Sequence, residues 1–280
     1  MDSSQLLGIT TLTYLFATIL YAIIFVFKLP KLAKATTFFT AIAFLTQTIG
    51  IGLRWIESYQ MGIGHAPLTN MYESVVFFSW TIILLYLLME WKYKTRVMGV
   101  FTVPLAFLAM AYASFGGVGK TITPLVPALQ SNWLISHVIT CFIGYAGFAL
   151  AAGLGTMYLI KQGRAGRKEN ILAKRLPSLE TIDDLTHKMM VFGFIWLTCG
   201  IISGAIWANS AWGTYWSWDP KETWSLITWF IYALALHVRY TRDWSGSRIA
   251  TLAIFGFLCV LFTYYGVNFL LSGLHSYGSA

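Results

Sequence analysis

The sequence predicts an all-α polytopic membrane protein with about eight transmembrane helices, and three observations predict it. The chain of 280 residues is 57% hydrophobic and only 11% charged, where a soluble domain carries about 25% charged residues. Its apolar residues gather into stretches of about 20, the length that crosses a bilayer as a helix. Its basic residues are confined to alternate connections between those stretches. This balance excludes a water-soluble enzyme, a disordered linker and a secreted disulfide scaffold. Three cysteines make no disulfide framework, and the absence of a CxxC or CxxxxH run excludes zinc ribbons and thioredoxin-type dithiols.

The eight stretches fall near 9–27, 37–56, 72–91, 97–115, 132–160, 189–209, 223–240 and 249–271. The first is read as a span and not a signal peptide, because Asp2 and no cation precedes it and no small-x-small site follows. Lys28, Lys31 and Lys34 follow the first stretch, and Lys92, Lys94 and Arg96 the third. Seven cations between Lys161 and Lys188 follow the fifth, and Arg239, Arg242 and Arg248 the seventh. Sixteen of nineteen basic residues therefore lie on one set of connections, with Arg54, Lys120 and Lys221 on the other. The positive-inside rule then places both termini on the non-cytoplasmic side. The net charge of +8 is topology, not a nucleic-acid footprint. The outer segments become 57–71, 116–131, 210–222 and 272–280, and 161–188 is the one long inner loop. No internal repeat marks a second domain, so residues 1–280 are expected to form a single transmembrane domain.

The outer segment at about 207–224 holds Trp207, Trp212, Trp216, Trp218 and Trp224, with Tyr215, Gly213, Asp219 and Pro220 among them. An interfacial aromatic belt explains one or two Trp at a helix end. This density suits a large flat apolar ligand held by stacking and edge contacts. His137 opens the fifth stretch and His275 lies just beyond the eighth, both on the same predicted face. Two neutral imidazoles on opposite faces of a flat ligand are what six-coordinate haem iron requires. His237 lies fifteen residues after Glu222, about 22 Å along a helix at the usual rise. It is either a snorkelling end residue or a second ligand position on a route from the cytoplasm. His187 reads as interfacial, and His65 sits in an outer loop. Arg54 is the first candidate for the haem propionates and Lys221 the second, because a guanidinium pairs bidentately with a carboxylate. Arg54 could equally pair with Glu57 or Glu73. Asp219 and Glu222 would repel propionates and are expected to shape the loop, with Asp219-Pro220 a favourable helix start.

Two signals fail. Ser114-Phe-Gly-Gly-Val-Gly-Lys120-Thr121 nearly spells a phosphate-binding loop, but Ser114 stands where the first glycine belongs and no strand precedes it. Cys141, Cys199 and Cys259 fall within spans and read as buried small apolar residues.

The segment Trp212-Gly-Thr-Tyr-Trp-Ser-Trp-Asp-Pro-Lys-Glu222 resembles the WWD signature of the haem-handling membrane proteins of cytochrome c maturation. Gly64-His-Ala-Pro-Leu-Thr-Asn-Met-Tyr-Glu-Ser74 is similar to the GHxPLxNxYES segment of the CcsA (ResC-type) branch. Leu125-Val-Pro-Ala-Leu-Gln-Ser-Asn-Trp-Leu-Ile-Ser-His137 is similar to that branch's LxPALxSxWLxxH segment.

The resemblance runs from about Arg54 to His275 and implies a subunit of a system II cytochrome c synthetase, a haem lyase complex. It implies haem b as bound substrate, His137 and His275 as external iron ligands, and His237 as a ligand within the bilayer. Trp212, Trp216, Trp218, Asp219 and Trp224 would form the haem surface, with Arg54 beside it. The implied partners are a CcsB (ResB-type) membrane subunit, an apocytochrome c bearing CxxCH and a thiol-reducing system for that apocytochrome. The implied location is the bacterial inner (plasma) membrane or the thylakoid membrane, with the active face periplasmic or lumenal. A CcmC-type haem exporter that loads a chaperone usually has fewer spans and a shorter chain. A b-type cytochrome would carry His pairs about thirteen residues apart, whereas the histidines here are spaced 72, 50, 50 and 38 residues. A small-solute transporter would show internal repeats and broken helices. Gly144, Gly147, Gly153 and Gly155 are better read as close-packing positions.

Overall fold

A computed structural model describes residues 2–27, 29–163, 173–271 and 273. Each of the eight apolar stretches matches a helix to within two residues or lies inside one: α1 Ser3–Phe27, α2 Pro30–Gln60, α3 Met71–Tyr93, α4 Gly99–Phe115, α5 Asn132–Gly163, α6 Leu179–Trp212, α7 Pro220–Arg242 and α8 Ser247–Leu270. No strand occurs among the described residues. The chain is thus an all-α, multi-pass membrane protein.

The helices outrun the apolar stretches. α6 begins at Leu179, ten residues before its apolar run, because Ser178 caps it by accepting from the Thr181 N–H. The inner loop read as 161–188 is therefore shorter than the charge pattern suggested, and its Arg164–Lys168 stretch lies outside the described residues. Among the described residues seven helices are long and apolar enough to cross a membrane. α7 has 23 residues but falls short on apolarity, diluted by its Trp, Tyr, Thr and His residues.

The described residues pack as two compact units. The first is drawn from Met1–Pro124 and Arg164–Pro177, the second from Leu125–Gly163 and Ser178–Ala280.

In the first unit Leu7, Tyr14, Tyr72, Ile82, Ile83 and Met110 are fully buried between α1 and α4. Apolar surroundings make an unpaired polar group costly, and the Gln47 and Glu90 side chains are both paired. Tyr14 Oη donates to Gln47 Oε1 at 2.6 Å, and Gln47 Nε2 donates to the Val76 carbonyl at 2.9 Å. Near the other end Glu90 accepts from Tyr86 at 2.6 Å, Thr37 at 2.7 Å and Arg96 at 3.1 Å. The near-phosphate-loop stretch begins in the last turn of α4, and Lys120 Nζ folds back onto the Ser114 carbonyl at 2.9 Å.

In the second unit α5 packs along α6 through small residues. A Cβ at Gly144 would lie 2.9 Å from the Leu197 nitrogen, and one at Gly147 would lie 3.0 Å from the Gly193 Cα. Gly155 is equally close to Ala250 of α8, at 2.8 Å from its carbonyl oxygen. Tyr232 of α7 stacks on Phe148 at 3.5 Å. Arg239 clasps Asp183 with two hydrogen bonds of 3.1 and 2.8 Å, tying the lower end of α7 to α6. Cys141 and Cys259 are buried as expected, but Cys199 lies on the exposed face of α6. Its position on a one-sided helix, not its polarity, decides that. α8 widens to a π-turn at Phe262–Gly266, a local register shift that no apolar period announces.

Candidate functional site

His137 stands in the second turn of α5, half-buried, with its ring over α6. Two glycines of α6 make this possible. The Gly200 carbonyl accepts from Nδ1 at 2.7 Å, and a Cβ at Gly204 would lie 2.5 Å from that same nitrogen. A carbonyl can only accept, so Nδ1 carries the proton and the lone pair of the neutral ring resides on Nε2. That is the tautomer in which imidazole ligates a metal through Nε2, with the carbonyl as its orienting partner. The ring is further held by Trp207, which stacks at 5.8 Å and an interplanar angle of 21°. Trp207 is itself buried, donates its indole N–H to the Ala128 carbonyl at 2.9 Å, and meets Trp212 edge-on at 4.9 Å. The Leu125–His137 segment and the Trp-rich segment are therefore joined by one aromatic contact chain.

Gly213, with φ +78°, ends α6 in the left-handed conformation that glycine adopts without cost. The loop that follows leaves Tyr215 and Trp218 exposed, and Trp216 meets Trp218 edge-on at 5.8 Å. α7 then starts where the sequence placed it. Asp219 accepts from the Lys221 N–H at 2.9 Å, and Glu222 reaches back to the Asp219 N–H at 3.2 Å, completing a capping box. Trp224 lies one turn into α7 and packs against Phe262 at 4.3 Å.

Lys221 is half-buried, and its ammonium donates to Asn268 Oδ1 of α8 at 2.9 Å. Burial pushes its pKa down to about 8, and the nearby Asp219 carboxylate partly opposes that. Cys141 lies one turn beyond His137, with its Sγ 3.7 Å from His137 Nδ1.

His275 lies outside the described residues. Gly273, two residues before it, is described: a Cβ there would run into Asp219 Oδ2 and lie 3.0 Å from Pro220. The chain that leads to His275 therefore passes over the start of α7, and only glycine fits at that crossing.

His237 is exposed on α7, on the same stripe as Ile227, Phe230 and Leu234. His187 donates to or accepts from Tyr240 Oη at 3.2 Å. Arg54 belongs to the first unit and is only 3% exposed. Its Nε pairs with Glu73 at 2.8 Å, and its Nη2 donates to the Lys120 carbonyl at 2.9 Å. Of the two acids that could have paired with it, Glu73 does. His65 is buried in the same unit, its ring nitrogens against the carbonyls of Ala66 at 2.9 Å and Thr123 at 3.1 Å.

Trp207 stood in the Trp-rich segment expected at the site, whereas Gly200 and Gly204 did not figure among the expected site residues. Gly193, Leu197, Gly200 and Gly204 form an i, i+4, i+7, i+11 row on α6, and that row of small residues was the available signal for a close approach.

Comparison with known proteins follows the same lines. The cytochrome c assembly protein family model matches residues 68–275. The chain is 40% identical over 294 residues to the cytochrome c biogenesis protein CcsA of Guillardia theta, covering 97% of this chain and 95% of that protein. It is 37% identical to CcsA of Gloeobacter violaceus, covering 99% of this chain and 98% of that one. Chlorella vulgaris CcsA is 41% identical over 82% of each chain. A solved structure of the cytochrome c heme lyase CcmF shares the fold with a TM-score of 0.68 at 17% identity. The match covers 94% of this chain and 47% of that one, so the chain spans about half the length of CcmF.

Proposed function

The chain belongs to the cytochrome c assembly protein family, in its CcsA branch, and on that premise we propose that it presents haem for covalent attachment to apocytochrome c. It acts as one subunit of a synthetase whose other membrane subunit is of the ResB type (CcsB). One observation carries this reading: the hydrogen bond from Nδ1 of His137 to the Gly200 carbonyl, which leaves Nε2 as the ligating nitrogen beside Trp207 and Trp212. His275 would be the second residue to hold the haem iron, a reading that rests on the resemblance of the Gly273–Tyr277 stretch. Trp212, Trp216 and Trp218 provide the stacking and edge surface, with Trp224 behind them.

The haem bound is haem b, and the product is a thioether. The sulfur of each CxxCH cysteine bonds to one vinyl carbon, its proton goes to the other, and the vinyl π-bond is lost. The chain's part is to fix the ring plane and restrain the iron so that the vinyl edge meets the thiol, a gain through proximity and orientation. Lys221 serves a propionate from its seat on Asn268, while Arg54 remains with Glu73. His237 interrupts the exposed apolar stripe of α7, and an ionisable group on such a face calls for a partner. It holds haem on the way out, with the opposite ligand from the ResB-type subunit. The charge pattern supports an orientation with the Trp-rich loop and both termini on the non-cytoplasmic side, and the family resemblance suggests a bacterial plasma or thylakoid membrane. A separate thiol-reducing system keeps the CxxCH cysteines reduced, since Cys141 and Cys259 are buried here and Cys199 lies in the middle of α6, away from its ends.

The test is the reduced-minus-oxidised spectrum of the protein purified with and without its ResB-type partner. His137→Ala and His275→Ala are each expected to weaken the outer haem bands, with activity partly restored by added imidazole. Unchanged bands in both variants would remove the ligand assignment.

A further inference from the structure

Among the described residues three non-glycines have positive φ: Lys94 at 56°, Asp243 at 50° and Trp218 at 60°. The first two terminate α3 and α7 as left-handed caps, where that conformation is routine. Trp218 terminates nothing. It lies in the loop before α7, and a bulky residue there is a true outlier that persists only if its surroundings impose it.

The imposing group is a single carboxylate oxygen. Glu222 Oε2 accepts from the Ser217 N–H at 2.8 Å, the Ser217 hydroxyl at 3.2 Å and the Asp219 N–H at 3.2 Å. The peptide N–H groups on either side of Trp218 thus converge on one atom, and the backbone between them must fold around it. Glu222 cannot yield, because it is buried in the first turn of α7 and locked by the capping box with Asp219. Thr223 Oγ1 adds a bond to the Trp218 carbonyl at 3.3 Å. Yet the indole so placed is 68% exposed and meets Trp216 edge-on. The fold would hold a glycine there without strain, so the strained ring is not there for the core.

We infer that Glu222 is a positioning residue: its carboxylate holds Trp218 in the left-handed conformation that presents the indole to a planar macrocycle at the Trp-rich loop. This rests on the haem reading above and adds to it the group that sets the ring's pose. Glu222 acts through Trp218, touching neither the macrocycle nor the reacting atoms.

The experiment uses the full chain co-purified with its ResB-type partner, loaded with haem, and reads the outer haem bands together with holocytochrome yield. Trp218→Gly and Glu222→Ala are each expected to lower outer-site haem retention by about two- to tenfold, the range a stacking contact supports. Glu222→Gln keeps an acceptor oxygen and is expected to restore most of the signal. The Glu222→Ala, Trp218→Gly double variant is expected to be no worse than Trp218→Gly alone, because the two share one path. Glycine tolerates the left-handed turn, so this background also keeps the test valid should Glu222→Ala fold poorly by itself. A further loss in the double variant, or an unchanged spectrum in both single variants, would overturn the inference. His137→Ala is run alongside. If it keeps its haem bands, the haem reading fails; if it loses them while the Trp218 and Glu222 variants do not, this inference fails alone.

Discussion

The Gly64–Ser74 turn and the Trp-rich loop are the two most recognisable stretches of the chain, and they treat their side chains in opposite ways. In the first, His65, Glu73 and the Arg54 that faces Glu73 are all buried and hydrogen-bonded. Thr69 donates to Glu73 through both its N–H and its hydroxyl at 3.0 Å, and Arg54 lies over the Tyr72 ring at 5.0 Å. In the second, Tyr215 and Trp218 stand 61% and 68% exposed while a buried acid holds the backbone that carries them. A specific motif is therefore not by itself a ligand site. The first closes on itself and secures a turn, and the second leaves surface open at a cost in backbone strain.

The largest effect should come from breaking the closed cluster. Arg54→Ala leaves Glu73 as a buried acid without its cation, and removing one partner of a buried pair costs about 3–5 kcal/mol. The variant is expected to unfold at markedly lower temperature in detergent, measured by thermal denaturation. Normal stability with loss of haem would reverse the comparison and return Arg54 to the propionates.

A smaller and more selective effect is expected at Gly204. The new methyl of Gly204→Ala would sit 2.5 Å from His137 Nδ1, so the ring must turn off the Gly200 carbonyl. Loss of that bond costs about 1 kcal/mol of stability. Outer haem bands should fall toward those of His137→Ala although every histidine remains. Bands that hold their intensity would detach the tautomer from ligation.

The smallest effect is a pH dependence. Burial holds the Lys221 ammonium at a pKa of about 8, so its charge is full below that value and lost above it. Haem retention should weaken as pH rises through 8, and Lys221→Arg, which stays charged, should remove that step. Fold stability should move the other way. A Lys whose pKa is lowered by folding favours the unfolded state while both are charged, and that penalty fades above pH 8. A single unfolding-linked loss would show both quantities falling together.

Much of this molecule was legible in one dimension. Apolar runs of bilayer length located all eight helices, and the Asp219-Pro220 start of α7 followed from capping chemistry. Local hydrogen bonding and hydropathy act within a few residues, so local sequence reports them. The helix extensions escaped because capping at Ser178 outreaches the apolar run. The division into two units, the exposed side of Cys199 and the π-turn in α8 escaped for another reason. Each depends on which face meets a neighbour.

The sequence by itself determined the class of fold, the family and the residue types that could meet a haem. Only the tertiary structure decided which candidates belong to one place. Arg54 went to Glu73, and His137 took its tautomer from a carbonyl 63 residues away. Hydrogen bonds reach about 3 Å in space whatever the separation along the chain, and that is why these pairings waited for the fold.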